Sequence, residues 1–95
     1  MIYVGENVKQ FKVGDKVACA GVGYANHAEV VSAPENLCVG LPADADLKSA
    51  AYNTLGAIAL QGIRQADLRL GEACAVIGLG LIGQLTCLML RASGV

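Results

Sequence analysis

Ala73-Cys74-Ala75-Val76-Ile77-Gly78-Leu79-Gly80-Leu81-Ile82-Gly83 carries more structural information than any other part of the chain. A run of small and branched apolar residues leads straight into glycines spaced as Gly-x-Gly-x-x-Gly. From Ile82 to Arg91 the apolar residues recur at helical spacing, and the pattern stops before Ser93-Gly94. The order is buried strand, glycine turn, helix. In that order the spacing signals a dinucleotide-binding turn; without it, a glycine-rich turn is commonplace.

Each glycine then has its own physical task. Gly78 turns the chain sharply at the end of the strand. Gly80 carries no side chain, so a pyrophosphate can reach the backbone. Gly83 lets the helix lie close to the strand. The helix start offers free N–H groups and roughly half a unit of positive charge. A basic side chain is therefore unnecessary, and none lies between Ala73 and Leu90. Gly78, Leu79, Gly80, Leu81, Ile82 and Gly83 form the candidate cofactor-binding set, with a purely structural turn as the alternative.

The totals narrow the function classes. A chain of 95 residues with net charge −1 has no electrostatic footprint for nucleic acid or an anionic membrane. Mean hydropathy of +0.52 is high for a free-standing domain and suits a segment whose apolar faces expect partners. Ala73 to Leu90 carries no charge, but its glycines, Gln84 and Thr86 argue against a membrane span, and no basic cluster flanks it. The first residues, Met1 to Asn7, lack the basic and apolar regions of a secretory signal. A cytoplasmic protein is expected.

Cysteines stand at 19, 38, 74 and 87, and the one histidine is His27. No Cys-x-x-Cys pair occurs, so neither a disulfide framework nor a four-cysteine zinc cage is expected; small apolar residues in a reduced protein is the reading. Cys38 has no cationic neighbour in sequence to activate it and reads as packing. His27 could serve proton transfer, since imidazole titrates near neutral pH; a surface or packing histidine is the plainer reading. Glu29, Lys12, Asp15 and Lys16 read as solvated faces.

Upstream of the glycine turn the chain reads first as β-structure. Val8-Lys9-Gln10-Phe11-Lys12-Val13 alternates apolar and polar residues, Gly14-Asp15 is a turn, and Lys16–Ala20 resumes the strand. His27–Val31 and Cys38–Leu41 are two more short strands. After Pro42, Asp44 or Asp46 can cap a helix carrying Leu47, Ala50 and Ala51. Thr54 to Arg64 has apolar residues at helical spacing. Its glycines cost roughly 1 kcal/mol each against alanine and are expected where backbones pack closely. Leu70-Gly71-Glu72 is a turn. The expected organisation is a β-rich segment over 1–43, connecting helices over 44–72, and the opening strand and helix of a nucleotide fold over 73–95.

These segments together resemble the medium-chain dehydrogenase/reductase superfamily, the zinc-type alcohol dehydrogenases and their relatives. Phe11-Lys12-Val13-Gly14-Asp15-Lys16-Val17 looks like that family's hairpin. Tyr24-Ala25-Asn26-His27-Ala28-Glu29-Val30-Val31 is similar to its following strand. Leu41-Pro42, Ser49-Ala50-Ala51 and the glycine stretch continue in its order. Thr54 to Gly62 looks closest to bacterial members in which such a module precedes a second oxidoreductase domain. The resemblance implies an α/β parent. Residues 1–43 would be the end of a GroES-like substrate domain, and 73–95 the first β-turn-α of a Rossmann domain. It implies NAD or NADP as cofactor, a small alcohol or carbonyl substrate, hydride transfer between the two, and a homo-oligomer.

The chain also departs from that family. Two of the family's zinc ligands would precede Met1, and the third position, usually cysteine, falls at Asn53. A neutral amide is a poor substitute for a thiolate on zinc. Zinc is thus doubtful, and no metal ligand is assigned. Tyr52 and Asn53 are the local candidates for polarising a substrate oxygen, against packing and helix capping. The acid that binds the adenine ribose would fall about 20 residues beyond the fingerprint, so NAD and NADP both stay open. The isolated chain is expected to be inactive, and either to self-associate or to leave 73–95 mobile. Two alternatives remain: a zinc-independent quinone or enoyl reductase, and a non-enzymatic remnant that acts as an assembly module.

Overall fold

The computed structural model describes residues 1–69 and 71–95. They form a mixed α/β chain of two compact units, Met1–Ala51 and Tyr52–Val95.

The first unit is built on an antiparallel pair, β1 (Val17–Cys19) and β2 (Cys38–Gly40). The register sets Val17 opposite Gly40, Ala18 opposite Val39 and Cys19 opposite Cys38. Leu41 N donates to Lys16 O and Ala20 N to Leu37 O, both at 2.9 Å, so the ladder runs one residue further at each end. Antiparallel pairs alternate between hydrogen-bonded and non-hydrogen-bonded positions. Those two bonds therefore place Cys19 and Cys38 in a non-hydrogen-bonded position, where side chains stand closest. Ala18 is the buried residue of this unit. Lys12 N donates to the Asp15 carboxylate at 2.9 Å and Asp15 N returns to Lys12 O at 3.1 Å, which closes the expected turn. The Met1 ammonium donates to Asp15 O at 2.6 Å.

Two expected strands are corrected. Residues 8–13 and 27–31 lie in turns, bends and irregular backbone, outside any ladder. Alternation marks a face that would suit a half-buried strand, but a strand persists only where a second backbone takes up its polar groups. Gln10 N instead donates to the Glu35 carboxylate at 3.2 Å. Between these segments and β2 sits a single 3₁₀ turn, Glu35–Leu37.

Asp46, rather than Asp44, caps the short helix α1 (Leu47–Ala50). Its carboxylate accepts from Lys48 N at 3.2 Å, Ser49 N at 3.0 Å and Ser49 Oγ at 2.7 Å. The Ser49 hydroxyl first, then the two backbone N–H groups, stabilise the charged form and lower the Asp46 pKa.

The second unit is a pair of helices, α2 (Asn53–Ala66) and α3 (Leu81–Ala92), packed on each other. Ala59 and Leu90 are its buried residues. Gly56 explains one of the helix glycines: a Cβ there would stand 3.4 Å from Met89 Cε of α3, so the helices pack closely at that point. Gly62 has no such reason, since a Cβ there would meet nothing within 4 Å. The end of α3 follows the pattern expected at Ser93-Gly94. Gly94 takes φ +82°, Gly94 N donates to Arg91 O at 3.3 Å, and Val95 N reaches Leu90 O at 3.1 Å. This is a Schellman closure, in which a left-handed residue satisfies the last carbonyls. Leu70, part of the expected turn at 70–72, lies outside the described residues.

Residues 73–77 do not form a strand in a ladder. A strand is held by neighbours on its edges, and among the described residues the ladder present is β1 with β2. Ile77 is 99% exposed. Among the described residues no helix is long and apolar enough to cross a membrane.

Candidate functional site

The glycine turn leads into α3, whose first residue is Leu81 with Gly80 at the N-cap. Gly78 adopts φ +94°. A side chain at that angle would strain against its own carbonyl, so glycine makes this reversal possible. Gly83 is needed for closeness. A Cβ on it would fall 1.9 Å from the Gly78 carbonyl oxygen and 3.8 Å from Val76 Cγ1. The first turn of the helix thus rests directly on the backbone of the turn. At Gly80 the situation is reversed, because a Cβ there would meet nothing within 4 Å. One glycine reverses the chain, one is pressed against it, and the one between faces open space.

No side chain caps α3 at Gly80. Its first intrahelical bond runs from Gln84 N to Gly80 O at 2.9 Å. The N–H groups of Leu81, Ile82 and Gly83 precede that bond, and such leading N–H groups have no partner within a helix. With the helix dipole they make an electropositive mouth that needs no charged side chain. An anion of phosphate type is what this arrangement can hold.

Gln84 is a part of the site that the sequence did not single out. Its Nε2 donates to Leu79 O at 3.0 Å. This bond ties the carbonyl between the first two glycines to the first turn of the helix and fixes the shape of the loop. One turn along, Thr86 Oγ1 returns to Ile82 O at 2.8 Å. The available signal was a long amide side chain one residue past the fingerprint, on the helix's first turn.

Tyr52 and Asn53 stand at the start of α2. Tyr52 occupies the N-cap position without a side-chain cap bond, and both residues are exposed. Among the described residues neither side chain makes a hydrogen bond. His27 and Glu29 are exposed in the bend of the first unit. Lys16 Nζ donates to Ala43 O at 2.9 Å, so this lysine ties two segments together rather than standing free.

An open cleft of about 570 Å³ lies elsewhere, within Met1–Ala51. Tyr3, Phe11, Val30, Glu35, Cys19 and Cys38 are among its lining residues, and no glycine-turn residue is. The cleft is mostly apolar. The glycine turn, by contrast, offers oriented backbone donors, and it is the better candidate for chemistry on a charged cofactor.

Curated proteins supply the remaining observation. (R,R)-butanediol dehydrogenase of Bacillus subtilis is 30% identical over 118 aligned residues, which take in 99% of this chain and 34% of that protein. The chain is similar to dehydrogenases along nearly its whole length. D-guloside 3-dehydrogenase of Escherichia coli is 30% identical over 95 residues, covering 99% of the chain and 27% of that protein. A probable D-xylulose reductase A of Arthroderma otae is 30% identical over 118 residues, covering 96% and 33%. The chain spans about a third or less of the length of these relatives. The alignments of 118 positions exceed the 95 residues of the chain, so those two relatives carry residues within the shared span that it lacks. The Escherichia coli protein aligns at the chain's own length. No protein-family model matches the chain, and no solved structure matches it.

Proposed function

We propose that this chain is part of an NAD(P)-dependent oxidoreductase of the medium-chain dehydrogenase type. In this reading residues 73–95 open its dinucleotide-binding domain, and 1–43 end its GroES-like substrate domain, with the helices of 44–72 between them. The carrying observation is the division of labour in the turn: Gly78 at positive φ, Gly80 facing open space, and Gly83 pressed on the Gly78 carbonyl. These match the three glycine roles of a dinucleotide-binding turn: a tight reversal, room for a pyrophosphate at the backbone, and close packing of the helix start. Gly78 to Gly83 would hold the pyrophosphate through the backbone N–H groups of Leu79, Leu81 and Ile82 and their neighbours. The nicotinamide cofactor, when bound, supplies the hydride acceptor and donor.

The names of the relatives support a substrate class. A butanediol dehydrogenase, a guloside dehydrogenase and a xylulose reductase are named for a diol, a sugar derivative and a ketose. The proposed reaction interconverts an alcohol with its ketone, in a diol, polyol or sugar. Among the chain's own residues, Tyr52 and Asn53 are the proposed neighbours of the reacting oxygen. They carry only neutral groups, so they can orient that oxygen by hydrogen bonding. The 95-residue chain by itself is proposed to be inactive.

A chimera tests this. Residues 73–92 of this chain would replace the aligned segment of the Bacillus subtilis enzyme. Dehydrogenase activity is expected to survive the exchange and to be lost when the grafted Gly80 is changed to Val. A folded chimera without activity, or one indifferent to that change, would overturn the reading.

A further inference from the structure

Cys19 and Cys38 are 19 residues apart in sequence, yet the β1–β2 register sets them face to face. They share a non-hydrogen-bonded position of the ladder, where opposed side chains come closest. Their Sγ atoms lie 3.5 Å apart. Both thiols are free and half-buried, so neither is sealed from small reagents. Cys74 and Cys87 lie in the other unit. We propose that Cys19 and Cys38 are a redox-modification site, a cross-strand dithiol that a hydroperoxide converts to an intramolecular disulfide.

The chemistry balances with hydrogen peroxide as the oxidant. One thiol loses its proton, its thiolate attacks a peroxide oxygen, the O–O bond breaks, and the departing hydroxide takes up that proton, leaving a sulfenic acid and water. The second sulfur then attacks the sulfenic sulfur, the S–O bond breaks, and a second water leaves as the disulfide forms. The two sulfurs lose two electrons in all, and the peroxide gains them. A low-molecular-weight dithiol reverses the change by exchange through a mixed disulfide. Burial first, then the hydrogen bond to Cys19 and the nearby Cys19 and Glu35 charges, raise the Cys38 pKa above the ordinary thiol value. Cys38 Sγ also donates to Pro34 O at 3.4 Å. Cys38 therefore rests as a thiol, and the pair reacts faster as pH rises.

The bond would have a structural consequence. It closes the loop from 19 to 38, which carries Glu29 to Glu35 along one wall of the apolar cleft, and both cysteines line that cleft. Oxidation would tether this wall to β1 and leave the glycine turn untouched. The proposal is independent of the dehydrogenase reading.

The experiment uses the full chain, with Cys74→Ser and Cys87→Ser introduced to remove the other thiols. The protein is treated with hydrogen peroxide, free thiols are alkylated, and the product is mapped by mass spectrometry without reduction. The expected result is a monomer that has lost two hydrogens, resists alkylation, and gives a linked Cys19–Cys38 peptide. Dithiothreitol restores both thiols. Adding Cys38→Ser should leave a sulfenic acid on Cys19 that dimedone traps, with no intrachain link. Free alkylation of both cysteines after peroxide treatment would overturn the proposal, as would linkage only between chains.

Discussion

Replacing Gly83 with alanine adds one methyl group at the tightest point of the glycine turn. Its Cβ would lie 1.9 Å from the Gly78 oxygen and 3.0 Å from the Gly78 carbonyl carbon, where ordinary contact begins near 3.4 Å. Both opposing atoms are backbone, so no side chain can swing aside, and the helix start must lift off the turn. Overpacking of this kind costs about 1–3 kcal/mol. Alanine returns up to about 1 kcal/mol as the better helix former. With the full return the net loss is about 0–2 kcal/mol. Gly62→Ala is the matched control, because it changes the same residue type in α2 where the new Cβ meets nothing within 4 Å. It should gain about 0.5–1 kcal/mol. Urea or thermal melts followed by helical circular dichroism, at one protein concentration, read both. Each kcal/mol moves Tm by about 4–8 °C in a chain of this size. G83A should melt below the parent chain and G62A above it. If G83A gained as much as G62A, the close approach of α3 to the turn would be refuted.

Gly78→Ala forces a side chain to φ +94° and should cost about 1–2 kcal/mol by the same melts, whether or not nucleotide is present; no loss would mean the turn relaxes freely. Asp46 has a folded pKa below its ordinary value of 3.8, so its contribution to α1 is complete above that value and disappears as pH falls through the lowered one. Amide resonances of Lys48 and Ser49 should therefore hold their capped positions down to acidic pH and then move together, and in Asp46→Asn that transition should vanish. The exposed Ile77, Leu79 and Leu88 of the second unit should drive association as concentration rises; sedimentation that stays monomeric throughout would show that these faces are covered within the chain.

The helices were legible because their signals are local. Apolar spacing marked α2 and α3, Ser93-Gly94 marked a C-terminus, and the aspartates before Leu47 marked a cap. The glycine turn was legible in part for a related reason: at Gly78 a positive φ and at Gly83 a close backbone approach each fall on one residue that glycine suits. The strands were not local in this sense. Residues 8–13, 27–31 and 73–77 have strand-like patterns, but pattern says which face could be buried and not whether a second backbone runs alongside. The closeness of Cys19 and Cys38 is a product of register between segments joined by a long loop, and no spacing in the sequence encodes it. Gln84 was hidden differently. A glutamine on a helix's first turn has many uses, and only the position of the Leu79 carbonyl selects one.

The most direct test of the central claim is a titration of the isotope-labelled chain with pyrophosphate, and then with NAD, followed by amide chemical shifts. Saturable shifts confined to residues 78–84 are expected, with a Kd in the millimolar range, about −4 kcal/mol, because one turn supplies the whole contact. Gly80→Val should abolish those shifts without unfolding the helix, since its side chain enters space that holds no protein atom within 4 Å of the Cβ position. Shifts that leave residues 78–84 unmoved, or that persist unchanged in the Gly80→Val protein, would contradict it.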